Sequence, residues 1–180
     1  MTRRIATRTT LVTLGLATLA ACIVNLSFAM DKPMVAIKSD AGTTNIGEQK
    51  ILVDLGEYPE ITEHKGNIKS LDLDFVDVTI TGVGSGNTAS TVNGKVTLRK
   101  NLTDPASADI AVGTLTAFQL QQGKTVRING TPQLDQFLFE QLQNAGKFYV
   151  VVSGSIDHGA ADVVADLNLH ASIGYDAGIF

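Results

Sequence analysis

The chain has 180 residues, of which 44% are hydrophobic and 18% charged, a composition that indicates a folded protein rather than a disordered one. Its single cysteine, Cys22, excludes a disulfide framework and a cysteine-ligated metal site in the rest of the chain. Beyond Arg8 there are 11 basic and 18 acidic residues, and a chain this acidic is predicted not to bind nucleic acid.

The N-terminus is predicted to be an export segment. Arg3, Arg4 and Arg8 precede an apolar run from Leu11 to Met30, and no acidic residue occurs before Asp31. A basic stretch followed by apolar residues is typical of segments that enter the translocon. We therefore expect an exported protein in the periplasm, at the cell surface or outside the cell.

Three fates of this segment stay open. Ser27 and Ala29 are small residues at the spacing of a signal-peptidase site, which predicts cleavage after Ala29. Leu19–Cys22 resembles a bacterial lipobox, and this resemblance implies lipidation of Cys22 and a bacterial lipoprotein. An uncleaved anchor is the third alternative, because about twenty apolar residues can span a bilayer. The predicted boundary separates a signal peptide or membrane anchor, residues 1–29, from one soluble β-rich domain, residues 30–180.

The first part of the predicted domain has weak periodicity. Val35–Ile37 and Ile51–Val53 are predicted to be short strands. Residues 40–49 and 56–66 are rich in glycine, polar and charged residues, and we expect loops there.

A long strand is predicted over residues 67–82, with a change of phase in its middle. Leu71 and Leu73 are apolar at odd positions, whereas Val76 and Val78 are apolar at even positions. Because a one-residue slip turns every later side chain to the opposite face, a β-bulge near Phe75–Val76 is predicted.

The next strand, residues 89–99, alternates apolar and polar side chains and is predicted to pair with 67–82 in a hairpin. Gly84–Ala89 matches a glycine-rich dinucleotide-binding pattern, but the residues after it are poor helix formers. Since the phosphate site of that motif needs a helix N-terminus, the segment is interpreted as a turn.

One amphipathic helix is predicted at about 132–145, after strands at 109–120 and 125–128. Thr131 is suited to the N-cap, Pro132 to the first helical position and Gly146 to the position after the helix. The apolar residues follow helical spacing and form one stripe, consisting of Leu134, Phe137, Leu138, Leu142 and Ala145.

The last 34 residues are predicted to contain a second hairpin, over 147–174. Phe148–Val152 is apolar on both faces, which predicts a central strand that is covered on both sides. Residues 163–173 alternate regularly after a turn at Asp157–Ala160. The whole pattern predicts a mainly β protein, an antiparallel β-sandwich of about seven to nine strands with one helix, and the alternative is an antiparallel sheet wrapped around the helix.

No catalytic residue, cofactor or metal site is predicted. Two sets of side chains could bear chemistry, the acidic row of a strand and the histidines, and both are interpreted as solvated surface: Asp72, Asp74 and Asp77, and His64, His158 and His170. Four aromatic residues around the helix are predicted to be core, or alternatively to contact a lipid or other hydrophobic ligand in a cavity between helix and sheet: Phe137, Phe139, Phe148 and Tyr149.

These observations favour a non-enzymatic exported module that binds a protein partner or assembles with itself through its strand edges. A carrier or sensor of a hydrophobic ligand is the first alternative, and a hydrolase with an unrecognised site is the second. The membrane is expected as a partner if the N-terminal segment is uncleaved or lipidated.

Overall fold

The computed structural model describes residues 23–39 and 42–178. These residues form eight strands, two helices and two 3₁₀ turns. In chain order the elements are β1 (Ile23–Lys38), β2 (Asn45–Asp54), a 3₁₀ turn (Leu55–Glu57), α1 (Pro59–Thr62), β3 (Ile68–Val83), β4 (Thr91–Arg99), a 3₁₀ turn (Ala106–Ala108), β5 (Ile110–Gln119), β6 (Thr125–Asn129), α2 (Pro132–Gln143), β7 (Lys147–Ile156) and β8 (Asp162–Asp176).

The strands form two four-stranded antiparallel sheets. The β1 sheet has the order β1-β8-β3-β6, and the β2 sheet has the order β2-β7-β4-β5. Apart from β4 and β5, every strand lies in the opposite sheet from the strand that follows it. This eight-stranded double-sheet order is that of a jelly roll. The predicted fold class, a mainly β antiparallel sandwich of about seven to nine strands, is confirmed, and the short helix α1 is present in addition to the one predicted helix.

The two predicted hairpins are wrong. β3 lies in the β1 sheet and β4 in the β2 sheet, and β7 and β8 are separated in the same way. The turns after β3 and β7 instead carry the chain across the sandwich and bond to each other, with the N–H groups of Thr88 and Ala89 donating to the carbonyl of Ala160. Alternation identifies the face that a strand buries, and it does not identify the neighbour with which the strand pairs.

The predicted bulge in β3 is confirmed. The register of β3 against β8 shifts between Leu73 and Phe75, so that Leu73 and Val76 both face the core. The N–H of Leu73 donates to Oδ1 of Asp135 on α2, at 2.8 Å. The carboxylate of the helix therefore satisfies a backbone donor beside the bulge, where the ladder is interrupted.

The predicted helix is confirmed as α2. Oγ1 of Thr131 accepts the N–H of Leu134 at 3.4 Å, and Gly146 has a φ of +67°, which a glycine adopts without steric cost. Leu134 and Leu138 are fully buried. The helix packs against β3 of one sheet and against β5 and β7 of the other, and so closes one open end of the sandwich.

The first two strands are longer than predicted, because β1 begins at Ile23 and β2 at Asn45. The second predicted loop contains the 3₁₀ turn Leu55–Glu57 and the short helix α1. The error in β1 has a clear cause. Val24, Leu26, Phe28 and Met30 alternate with less apolar residues, but the alternation lies inside an apolar run that was assigned to the leader.

The predicted position of β7 is confirmed, since it lies between β2 and β4. Phe148, Val150 and Val152 face the core, and Val151 on the opposite face is also buried. Tyr149 and Ser153 on that outer face are only partly buried, so the predicted cover on both sides is confirmed at Val151 alone.

Candidate functional site

The four sheet edges differ in how they are protected from pairing with another strand. An edge strand presents unpaired N–H and C=O groups, and proteins blunt such edges with shortness, charge, proline or bulges. β6 has five residues and carries Arg127. β2 carries Glu48 and Lys50, and its register shifts between Ile46 and Gln49. These two edges are therefore protected.

β5 is protected by irregularity. Its register against β4 shifts twice, and Ala117 has a φ of +46°, in the left-handed region that a residue with a Cβ rarely adopts. The N–H of Ala117 donates to Oδ1 of Asn93 on β4 at 2.9 Å, which holds this distortion in place. A bent strand of this kind offers no flat ladder to a partner.

The first half of β1 has none of these protections. Its pairing with β8 runs without a shift from Ile23 to Lys32. The segment Ile23–Met30, which we call the β1 edge segment, contains no charged residue, proline or glycine. Within the described residues β1 pairs with β8 alone, so its second side is open. Ile23 and Val24 are 52% and 39% exposed at the beginning of the strand.

Protection begins immediately after this segment. Between Lys32 and Val35 the pairing with β8 shifts, and Met34 lies there with a φ of +59° and 79% exposure. The N–H of Met34 donates to Oδ1 of Asp166 at 2.8 Å, and Nζ of Lys32 lies 3.2 Å from Oε2 of Glu57. The second half of β1 is thus bulged and charged, in contrast to the first.

The β1 edge segment is anchored firmly on its core side. Phe28 and Met30 are buried, and the Phe28 ring lies 6.0 Å from the ring of Tyr58, centroid to centroid. Tyr58 is partly buried and packs against the core below the strand. The open side therefore belongs to a preformed strand, and a partner would not have to order it.

The outer face of the β1 sheet carries an acidic groove of about 600 Å³. Three carboxylates line it, and each already accepts a hydrogen bond from the protein. Asp31 accepts from the amide of Asn168, Asp166 from the N–H of Met34, and Asp77 from Arg127 at 2.8 and 2.7 Å. No group of three or more His, Cys, Asp or Glu side chains in the described ranges is placed to hold a metal ion.

Arg127 organises part of this face. Its bonds to Asp77 hold the pKa of that carboxyl below its ordinary value. The guanidinium lies 3.6 Å from the centroid of the Phe75 ring, and the same ring stacks on His170 at 4.1 Å. Asp74 stands at the bulge and Asp72 accepts the hydroxyl of Ser70, so the predicted acidic row does not converge on one point.

The outer face of the β2 sheet carries a buried ion-pair network. The guanidinium of Arg99 is 2% exposed and donates to two carboxylates, with Nε 2.6 Å and Nη2 2.9 Å from Asp109, and Nη1 2.9 Å and Nη2 2.8 Å from Glu48. Thr97 also donates to Asp109, at 2.9 Å. These bonds lower the pKa of Glu48 to about 2 and lower that of Asp109. The network ties β2 and β4 to the residue before β5.

The structure brings two of the four predicted ligand-contact residues together. Phe137 and Phe148 meet edge to face at 6.0 Å, whereas Tyr149 lies on the opposite face of β7 from Phe148. Phe139 is partly buried against the core. A cavity between the two sheets has a volume of about 10 Å³, and none of these four residues lines it. Beside α2 a surface pocket of about 190 Å³ includes Phe137, with Gln133, Gln136 and Glu140 as its polar lining. That pocket is smaller than the roughly 300 Å³ of a small-molecule site, and ligand binding by the four residues stays a prediction.

The three histidines lie in separate places. His64 stacks on Tyr175 near the end of β8, at 3.9 Å, whereas His158 lies before the start of β8 and 3.1 Å from Oδ2 of Asp157. A fifteen-residue strand separates these two positions, so they do not share a site. His170 lies on the outer face of β8, against Phe75.

The predicted leader lies largely outside the described residues, and so does Cys22. Ala29 lies inside β1, between Phe28 and Met30. Among the residues that the structure describes, no helix is long and apolar enough to cross a bilayer. Cleavage, lipidation and anchoring stay predictions, as does the absence of nucleic acid among the partners.

Sequence reasoning missed the two features that distinguish this surface most. The β1 edge segment has a local signal, the alternation of Leu26, Phe28 and Met30 with Asn25 and Ser27. The Arg99 network has none, because Glu48 lies 51 residues from Arg99 in the chain.

The comparisons with known proteins give likenesses of fold. No protein-family model matches the chain, and no curated protein matches it. The crystal structure of the decameric BFDV capsid protein is similar over 84% of this chain and 99% of that chain, with 12% identity and a TM-score of 0.43. The structure of Desmodium yellow mottle tymovirus is similar over 100% of this chain and 96% of that chain, with 10% identity and a TM-score of 0.39.

A third similar structure is that of infectious bursal disease virus Gx strain. The match covers 96% of this chain and 38% of the viral chain, with 12% identity and a TM-score of 0.38. Identities and TM-scores this low describe a shared arrangement of strands and carry no argument about function.

Proposed function

We propose that this protein is a structural subunit that acts by protein–protein contact and self-association, and that it is not an enzyme. The observation that carries the proposal is the β1 edge segment, Ile23–Met30, which is free of charge, proline and bulges while the other three edges are protected. A long regular edge of this kind accepts a further strand through backbone hydrogen bonds.

The interior of the sandwich supports the same proposal. Both sheets contribute to one apolar core, and a cavity between them, of about 10 Å³, is far smaller than the roughly 300 Å³ of a ligand pocket. The features that could contact a partner therefore lie on the surface. They are the open β1 edge, the acidic groove on the outer face of the β1 sheet and the ion pairs of Arg99 on the outer face of the β2 sheet.

We also propose that the protein is exported, on the strength of the basic and apolar character of residues 1–22. The position of β1 bears on how the leader is processed. Cleavage after Ala29 would remove Phe28, which is 7% exposed, and the half of β1 that pairs with the end of β8. Lipidation at Cys22 or retention of the segment would leave β1 intact, and this supports those two fates over cleavage after Ala29.

The test is the oligomeric state of the protein isolated with its natural N-terminus. Sedimentation velocity over a wide range of concentrations is expected to show oligomers that grow with concentration. Intact-mass and N-terminal analysis of the same sample identify the processed form. A chain that sediments as a monomer at every concentration, with β1 present, would contradict the proposed function.

A further inference from the structure

We infer that two copies of this chain pair β1 against β1 in antiparallel fashion about a twofold axis at Leu26, and so join their two β1 sheets into one eight-stranded sheet. The inference rests on the proposed function and deepens it, because it names the partner as a second copy and the contact as the β1 edge segment.

The partner is a second copy because this segment is complementary to itself. In an antiparallel pair of identical strands, a charged residue meets an opposite charge in some registers and a like charge or an apolar side chain in others. Ile23–Met30 carries no charge, so pairing this segment with its own copy opposes no like charges. Its two faces also match themselves, with Val24, Leu26 and Phe28 towards the core side and Asn25 and Ser27 on the other.

The alternation of faces restricts the register. Residues directly opposite each other in an antiparallel pair point to the same side of the sheet. A twofold axis must therefore pass through a residue, because an axis between Leu26 and Ser27 would set core-facing side chains against outward-facing ones. Only axes through a residue remain, and the two nearest the centre of Ile23–Met30 pass through Leu26 and Ser27.

Charge decides between these two positions. With the axis at Ser27, Ile23 of one copy lies opposite Asp31 of the other, and an apolar side chain faces a carboxylate. With the axis at Leu26, Ile23 lies opposite Ala29, Val24 opposite Phe28 and Asn25 opposite Ser27. Asp31 then lies beyond these pairs. Ile23 and Val24, which are exposed in one copy, are covered by the other.

The space beside β1 is compatible with this arrangement. Tyr58 contacts Phe28, whose side chain points to the core, and therefore lies below the plane of the sheet rather than beside the strand. The paired stretch Ile23–Ala29 is about 23 Å long at 3.3 Å per residue. The bulge at Met34 lies outside this stretch and does not interrupt it.

Cysteine cross-linking in the full chain tests the register. In a Cys22→Ser background, Asn25→Cys and Ser27→Cys chains are prepared separately and mixed under mild oxidation. Opposite residues have Cβ atoms about 4.5–5.5 Å apart, close to disulfide distance, whereas identical residues of the two copies are offset to about 7–8 Å. We expect the mixture to cross-link much faster than either chain alone. Thr114→Cys and Thr116→Cys on the protected β5 edge are the control pair and should not cross-link.

A charge variant tests the same contact without cysteine. Asn25→Asp combined with Ser27→Asp sets two pairs of carboxylates opposite each other, and the dimer is expected to dissociate about tenfold more readily. Thr114→Asp with Thr116→Asp, on β5, is the matched control and should leave association unchanged. Both variants alter exposed side chains, and circular dichroism checks that each still folds.

The outcomes separate this inference from the proposed function. If the chain with Asn25→Asp and Ser27→Asp still forms oligomers, and the two cysteine chains do not cross-link, the β1 pairing is wrong. The proposed self-association would then still hold through another contact. Faster cross-linking of Ser27→Cys with itself overturns the axis at Leu26. A mature chain that begins at Met30 lacks the segment and overturns the inference. A wild-type chain that is always monomeric overturns both proposals.

Discussion

The outer face of each sheet holds an arginine that forms ion pairs, with two carboxylates on the β2 sheet and one on the β1 sheet, and the two arginines differ in burial. On the β2 sheet, the Arg99 side chain is 2% exposed, and Asp109 is 3% exposed. On the β1 sheet, the Arg127 side chain is 55% exposed, although its two bonds to Asp77 are as short as those of Arg99. Arg99 bonds to two carboxylates and Arg127 to one, and the two clusters also differ in burial.

From this difference we expect burial, more than the number of ion pairs, to determine how much each cluster contributes to the free energy of unfolding. An exposed pair gains little over its solvated ions. A buried ion pair stabilises the fold little more than apolar residues of the same size would. Removing one partner of the pair, however, leaves the other charge buried and unpaired, which is strongly unfavourable. The surroundings fit this difference in burial. Arg99 lies on a face where Val151 is also buried, whereas Arg127 lies above the Phe75 ring on an exposed face.

The largest effect is expected for Arg99→Ala. Asp109 would keep its charge in a buried position without its main partner, and the free energy of unfolding should fall by about 3–5 kcal/mol. Urea denaturation measures this, at a concentration where the chain is monomeric. Arg99→Lys is the control, because it keeps the charge without the planar fork and should lose less. A loss within about 0.5 kcal/mol for the alanine variant would show that the network is not buried in solution.

A smaller effect is expected in the pH dependence of this difference. Arg99 holds the pKa of Glu48 at about 2, below its ordinary value, and also lowers that of Asp109. A carboxyl with a lowered pKa stabilises the fold above its unfolded pKa, and that contribution disappears as the pH falls towards the folded pKa. The stability gap between wild type and Arg99→Ala should therefore narrow between about pH 4.5 and 2.

An internal control exists for this titration. Burial alone would raise the pKa of Asp157, but the backbone N–H groups of Ser90, Thr91 and His158 lower it to about 2. This carboxyl lies in the turn after β7, far from Arg99, so both proteins should keep its contribution to the acid-induced loss of stability. A stability gap that stays constant across the same pH range would contradict the proposed link between Arg99 and the two carboxyls.

The smallest effect is expected for Arg127→Ala. This pair is exposed, and its removal should lower the free energy of unfolding by about 0.2–1 kcal/mol. The loss should shrink further at high salt, since exposed charges are screened. Denaturation at low and high ionic strength measures it. A loss equal to that of Arg99→Ala would contradict the comparison between the two faces.

Local pattern was sufficient for several elements of the fold. The capping residues and apolar stripe of α2 and the phase change of β3 act over a few residues, and both features are present where they were predicted. The pairing of strands was not accessible in this way. β3 and β4 were expected to form a hairpin because they are adjacent and alternate alike, but they lie in opposite sheets, as most consecutive strands of this jelly roll do.

The candidate site was accessible only in part. That strand edges are the means of assembly was anticipated in general terms, but the particular edge was hidden because Ile23–Met30 is as apolar as a leader. An apolar run is compatible both with a membrane-targeting segment and with a β-strand. Only its neighbours in the folded structure, here β8, distinguish the two. The pairing of β1 with β8 is formed between residues more than a hundred positions apart.

By itself the sequence determined which faces of β3, β4 and β8 are apolar, where the helix begins, where β3 changes phase and that the charge beyond Arg8 is acidic. These properties follow from the identities of residues close together in the chain. Tertiary structure alone decided which strands are neighbours, which edge is left open and which arginine is buried. Each of these depends on contacts between distant segments, such as Arg99 with Glu48, and local periodicity carries no record of such contacts.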